Sequence, residues 1–115
     1  MLALVFACRP SLVERVNELH RASRQIESEV APKLEDLIQQ KNSINIQGRA
    51  LTSEEIEFSG KVSELEATFA RWKEGMEAVE KKSPDESRLD VEITLKDAIV
   101  AFKKQVESLA PKPKF

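Results

Sequence analysis

The chain has 115 residues, of which 18 are lysine or arginine and 20 are aspartate or glutamate, so its formal net charge at pH 7 is -2. This balance provides no overall basic field, which argues against a nucleic-acid-binding protein. Charged residues make up 33% of the sequence, with three glycines and no tyrosine, a composition that predicts one helical domain. The single cysteine excludes an internal disulfide and a metal cluster built from several cysteines.

The first ten residues, MLALVFACRP, are apolar from Met1 to Cys8. This run is far shorter than the roughly 20 residues of a membrane-spanning helix. Its end, V-F-A-C, has a small residue directly before the cysteine and resembles the lipobox of bacterial lipoproteins, in which Cys8 would be the lipidated first residue. We therefore interpret residues 1–10 as a truncated signal remnant, with Met1 an internal start or the chain cut there. A docked N-terminal helix is the alternative.

A long first helix is predicted over about 12–45, because apolar residues recur there at spacings of three and four. Ser11 and Glu14 form the pattern of a capping box at its start. The heptad positions, including two polar substitutes, are Leu12, Val16, Leu19, Ser23, Ile26, Val30, Leu34, Leu37, Lys41 and Ile44. Pro32 lacks an amide hydrogen and crowds the carbonyl one turn earlier, so we expect a kink near residues 28–32 or a break into two helices.

The segment LTSEEI predicts the start of a second helix, over about 53–82. Thr52 is placed as the cap and Glu55 as its partner in a capping box, while Leu51 and Ile56 are spaced to form a hydrophobic staple. The heptad positions that follow are Ile56, Ser59, Val62, Leu65, Phe69, Trp72, Met76 and Val79.

A third helix is predicted after the short turn KKSPDES, with Ser83 as cap, Pro84 at the first helical position and Glu86 completing a box. Its apolar positions are Leu89, Ile93, Leu95, Ile99, Phe102, Val106 and Leu109. Pro111 is expected to stop this helix before a polar tail, residues 111–115, which we interpret as solvated or, alternatively, as a contact arm.

Together these elements predict an all-α fold. Three helices of such lengths would each reach about 40 to 50 Å at 1.5 Å per residue, and short connections make consecutive helices antiparallel. We therefore predict an elongated antiparallel three-helix bundle, of coiled-coil type, over residues 11–110. The alternative is a helical hairpin that dimerises with another chain. The polar residues at some heptad positions are compatible with either fold.

No constellation of residues in the sequence indicates catalysis, a cofactor or a metal site. His20 is the only histidine, and we interpret it as an ordinary boundary residue. The carboxylates lie mostly off the apolar seams, as on a solvated helix face, and there is no Glu-x-x-His motif or glycine-rich phosphate loop. Trp72 lies on the second seam and is interpreted as a packed core residue, with an exposed anchor for a protein partner as the weaker alternative.

Three segments, IESEVAPKLEDLIQQKNSI, FARWKEGME and LKDAIVAFKKQVESL, are similar in order and spacing to a group of small uncharacterised helical lipoproteins of Gram-negative bacteria. Residues 30–34 correspond to a Val-Met-Pro-Lys-Met-like segment of that group, with Ala31 and Leu34 in place of the methionines, and Trp72 to its tryptophan. The resemblance implies a lipid anchor at Cys8 and a place in the cell envelope, but no established activity.

Our hypothesis from the sequence is a lipid-anchored cell-envelope protein with a structural or protein-interaction role, as a monomer or dimer with an unidentified protein partner. The absence of aspartate after Cys8 favours the outer membrane, facing the periplasm, by the general sorting of lipoproteins. The alternative is a cytosolic coiled-coil adaptor or secretion chaperone, in which the apolar start binds a partner or a second copy.

Overall fold

Three helices follow one another in the computed structural model, which describes residues 11–46 and 48–109. They are α1 (Leu12–Asn45), α2 (Ser53–Glu80) and α3 (Glu86–Leu109), and all three pairs of helices are in contact. The molecule measures 71 × 27 × 17 Å along its principal axes. The predicted elongated all-α three-helix bundle is therefore confirmed, and the chain closes its core with its own third helix rather than as a two-helix hairpin.

Helix α1 begins at Leu12 as predicted, and the Ser11 Oγ accepts a hydrogen bond of 3.1 Å from the amide of Glu14, which is one of the two bonds of the predicted capping box. It continues through Pro32 to Asn45 as one α-helix, so of the two expected alternatives, a kink or a break into two helices, the break is wrong. The neighbouring Val30 and Leu34 are 0% and 4% exposed. Pro32 has no amide hydrogen, so one backbone hydrogen bond of this turn is missing. The burial of Val30 and Leu34 stabilises the turn in its place, because packing contributes most of the stability of a helix in a protein.

Helix α2 has the predicted capping box. The amide of Glu55 donates to the Thr52 Oγ1 over 3.1 Å, and the amide of Thr52 donates to the Glu55 Oε1 over 2.9 Å. The helix ends at Glu80, two residues earlier than predicted. Ile56 is 59% exposed, so its expected place in the seam is wrong. Phe58, which packs against the core, is the inward-facing side chain on this turn.

Helix α3 starts later than predicted, because Asp85 rather than Ser83 caps it. The amide of Arg88 donates to the Asp85 Oδ1 over 2.9 Å, and the amide of Leu89 donates to the Asp85 carbonyl over 2.9 Å. Pro84 therefore lies in the turn and not in the first helical position. Ile93, expected in the seam, is 40% exposed, and its neighbour Glu92 takes the inward position at 0% exposure.

The core contains the aromatic side chains of α2 and α3. The Phe69 ring stacks on Trp72 at a centroid distance of 6.0 Å and on Phe102 at 5.3 Å. Trp72 is 7% exposed and its Nε1 donates to the Leu95 carbonyl over 2.9 Å, so its buried indole has a hydrogen-bond partner. The interpretation of Trp72 as a packed core residue is confirmed, and its ring is not exposed for a partner. None of the helices in the described ranges has the length and apolar character to cross a membrane.

Candidate functional site

A cluster of charged side chains joins all three helices at the end of the bundle where α1 begins. We call it the His20 cluster, and its central members are His20 on α1, Glu80 on α2 and Glu92 on α3. The His20 Nδ1 lies 3.0 Å from the Glu92 Oε2, and the Nε2 lies 2.9 Å from the Glu80 Oε2. The imidazolium form donates from both ring nitrogens, whereas a neutral ring donates from only one. A protonated His20 therefore satisfies both carboxylates at once.

Two arginines complete the His20 cluster. Arg88 donates from Nε to the Glu92 Oε2 over 3.1 Å and from Nη1 to the Lys82 carbonyl over 2.8 Å, which links the start of α3 to the turn after α2. Arg24 on α1 donates to Glu80. The Arg24 guanidinium, followed by the His20 ring, holds the pKa of the Glu80 carboxyl below its ordinary value. Glu80 is therefore ionised at neutral pH.

The His20 cluster has the contacts of a structural site. Glu92 is fully buried, and a buried carboxylate is tolerated only when it is paired and hydrogen-bonded, as it is here. In the described part of the chain, no group of three or more histidine, cysteine, aspartate or glutamate side chains is arranged to hold a metal ion. The cluster fixes how the three helices meet, because each helix contributes at least one of its charged groups.

His20 lies at the boundary of the core, as predicted, with 18% side-chain exposure, whereas the inward position of Glu92 was not predicted. Glu92 departs from the expectation that carboxylates lie off the seams. The signal was present: Glu92 lies three residues after Leu89 and seven before Ile99, which is an inward position of a heptad repeat. The predicted heptad assignment gave this inward position to Ile93 and therefore left Glu92 on the surface.

An open groove of about 980 Å³ lies at the opposite end of the bundle, between the last turns of α1 and the first turns of α2. We call it the distal groove. It exists because α3 ends early: Glu107, near the end of α3, pairs with Lys33 on α1 over 2.7 Å, yet α1 continues to Asn45. The two-helix hairpin thus extends about 15 Å past α3, at 1.5 Å per residue.

The distal groove is lined by apolar, acidic and neutral polar side chains. Its apolar lining residues, none of them fully buried, are Ile44, Phe58 and Leu109. Its charged lining residues are Asp36, Glu54, Glu55, Glu57 and Lys61. Glu57 pairs with Lys61 over 3.0 Å and Glu55 with Arg49 over 2.6 Å. Asp36 and Glu54 form no ion pair with any other residue that the structure describes.

Three of the predicted features lie outside the described residues: the lipidation candidate Cys8, the signal remnant 1–10 and the tail 111–115. The described chain nevertheless shows where each attaches. Residues 1–10 lead into Ser11 at the end of the bundle that holds the His20 cluster, and residues 110–115 follow Leu109, which lines the distal groove.

No protein-family model matches the chain, and comparisons with curated proteins and with solved structures found no match either.

Proposed function

We propose that this protein is a lipid-anchored helical component of the cell envelope, joined to a membrane through Cys8, with a structural or protein-interaction role and no catalytic one. The observation that carries the proposal is V-F-A-C, a lipobox-like sequence placed directly before the capped start of α1 at Ser11. The similarity of the three helical segments to Gram-negative lipoproteins supports the same conclusion.

The geometry suits such a role. Helix α1 alone is about 50 Å long at 1.5 Å per residue, so a bundle attached through its N-terminal end would project far from the bilayer surface. The distal groove would then face away from the membrane, where a partner can reach it. Several acyl chains make a durable anchor, whereas one chain binds only marginally, so the full bacterial modification of Cys8 is required.

The test is metabolic labelling of the full-length natural gene product in Gram-negative cells with an alkyne-bearing palmitate, followed by membrane fractionation. We expect Cys8 to carry the label and the protein to sediment with the outer membrane. A Cys8→Ser variant is the matched control, which should lose the label and leave the membrane fraction while keeping its helix content. An unlabelled wild-type protein in the cytosolic fraction would reject the anchor and favour a cytosolic coiled-coil adaptor or secretion chaperone.

A further inference from the structure

The distal groove has the charge and shape of a site for a short, basic segment that carries an aromatic residue. Its lining includes Asp36 and Glu54, neither of which is ion-paired within the described part of the chain. It also includes Ile44 and Phe58, which are only partly buried. We propose that this groove binds the segment of the same chain that follows Leu109, whose sequence is APKPKF.

The charges of the segment and of the groove are complementary. Lys112 and Lys114 are its only charged side chains, and both are cations. Each would meet a carboxylate that has no competing partner within the described ranges, in a groove where acidic side chains outnumber the single lysine, Lys61. Such pairs are exposed and individually weak, so the contact is sensitive to salt.

The apolar parts are complementary as well. Burying the Phe115 ring would contribute more hydrophobic free energy than burying any other side chain of the segment. Aromatic side chains also pack well against one another in edge-to-face or offset contacts. In the groove, Phe58 and Ile44 are only partly buried because α3 does not extend this far. The segment would cover the apolar surface that the third helix leaves open.

The tether has the required length and position. Leu109, the residue from which the segment departs, itself lines the groove. Pro111 and Pro113 favour an extended polyproline conformation of about 3.1 Å per residue, so residues 110–115 span about 19 Å, close to the 15 Å by which the hairpin exceeds α3. A short tether gives an effective concentration in the millimolar range, so an intrinsic dissociation constant of about 1 mM suffices for roughly half occupancy.

This binding does not depend on the lipid anchor or on the location of the protein. It has a consequence for any partner of the distal groove, which would have to displace residues 111–115 first. The tail is then an intramolecular competitor whose affinity sets how tightly a partner must bind.

The test uses the full chain with a nitroxide spin label on Pro113→Cys in a Cys8→Ser background, which leaves Lys112, Lys114 and Phe115 intact. We expect the backbone amide signals of Ile44 and Phe58 to be strongly broadened, because paramagnetic relaxation rises steeply at short distance and a tail that is bound for about half of the time brings the label close to both amides. The control label, on Lys82→Cys, lies just beyond the end of α2 at Glu80, which is about 33 Å along the helix from Phe58, and should leave both signals unchanged.

Charge reversal separates a bound tail from one that merely lies nearby because it is tethered. With the label kept in place, Lys112→Glu plus Lys114→Glu should restore the Ile44 and Phe58 signals. Adding Asp36→Lys and Glu54→Lys to that variant should bring the loss back, because the complementary charges are exchanged. Phe115→Ala alone should weaken the loss.

Two results would overturn the proposal. The first is signal loss at Ile44 and Phe58 that is absent or indifferent to the charge reversals. The second is signal loss in a mixture of isotope-labelled protein without nitroxide and nitroxide-labelled protein without isotope, which would place the tail of a second copy in the groove.

Discussion

Among the described residues, Glu92 is the one acidic or basic side chain that is buried, and it has hydrogen-bond partners there. Its carboxylate is 0% exposed and is met by His20 from α1 and Arg88 from its own helix. A buried ion pair often contributes little net stability compared with an apolar replacement, but removing one partner leaves the others buried and unpaired. The effect of a substitution here therefore depends on which charge remains.

We predict that Glu92→Gln lowers the free energy of unfolding by about 2 kcal/mol, because an isosteric amide weakens the hydrogen bonds with His20 and Arg88 without creating a cavity. Urea unfolding followed by circular dichroism measures this. The matched control is Glu107→Gln, which also removes a carboxylate from α3 but breaks only the exposed pair with Lys33, and should change the midpoint little. Equal effects of both substitutions would contradict a structural role for the His20 cluster.

The hydrogen bonds at the N-terminal cap of α2 predict a low pKa for the Glu55 carboxyl. Bonds from Arg49, and next from the Thr52 amide, lower the pKa of the Glu55 carboxyl to about 2. A depressed pKa means that Glu55 favours the folded state above its ordinary pKa near 4.3, and that this contribution disappears as the pH falls through about 2. Carbon-detected NMR titration should find this low value. Arg49→Gln should raise it, and an unchanged value would show that the Arg49 bond is not the cause.

At the scale of the helix, Pro32 destabilises α1 locally, but the packing of neighbouring side chains keeps the helix continuous. It is exposed and lies between two buried core positions, Val30 and Leu34. In a helix interior, proline costs about 3 kcal/mol relative to alanine, because one backbone hydrogen bond is missing and the ring crowds the preceding turn.

We predict that Pro32→Ala raises the free energy of unfolding by about 1 to 3 kcal/mol, since the amide gained can bond to the carbonyl of Ser28 while little side-chain contact is lost. Thermal and urea unfolding measure the change. Pro84→Ala is the control: it lies in the turn before α3, where alanine restores no helical bond and loosens the unfolded chain, so it should be neutral or slightly destabilising. A destabilised Pro32→Ala would mean that the core is adapted to a bent α1.

The two glycines of α2 give an internal comparison. A Cβ built on Gly60 meets nothing within 4 Å, whereas one on Gly75 lies 3.1 Å from the Leu95 Cδ2. We predict that Gly60→Ala stabilises the protein by about 1 kcal/mol through helix propensity alone. Gly75→Ala should gain less or become destabilising, because it pushes on Leu95, whose carbonyl accepts the Trp72 hydrogen bond. Equal gains in the unfolding midpoint would show that α2 and α3 are not in close contact there.

How far these elements could be predicted depends on whether the cause is local. The capping box of α2 was predictable because Thr52 and Glu55 are three residues apart and meet in any helix. At α3, Ser83 and Asp85 are both competent caps separated by a proline, and sequence offers no reason to prefer one. The pairing of His20 with Glu92 spans 72 residues, so it depends on the register of α1 against α3, which heptad spacing does not specify.

The whole molecule is asymmetric along its length. At the His20 end, burial continues close to the helix ends, with Val79 buried on α2 and Leu89 on α3. At the groove end, the last buried residue of α1 is Leu37 and the first of α2 is Val62, so none of the described residues between them is fully buried. Local stability follows the density of buried contacts, and the two ends should therefore open independently.

We predict that native-state hydrogen exchange reveals this polarity. Amides in α1 from 40 to 45 should exchange at least about tenfold faster than those from 30 to 37, because opening the hairpin exposes little apolar surface while opening the middle exposes the aromatic core. Amides from 16 to 23, near the His20 cluster, serve as the control for ordinary end fraying and should be better protected than those from 40 to 45. Uniform protection along α1 would contradict this polarity, because a tail that is bound for about half of the time slows exchange by only about twofold.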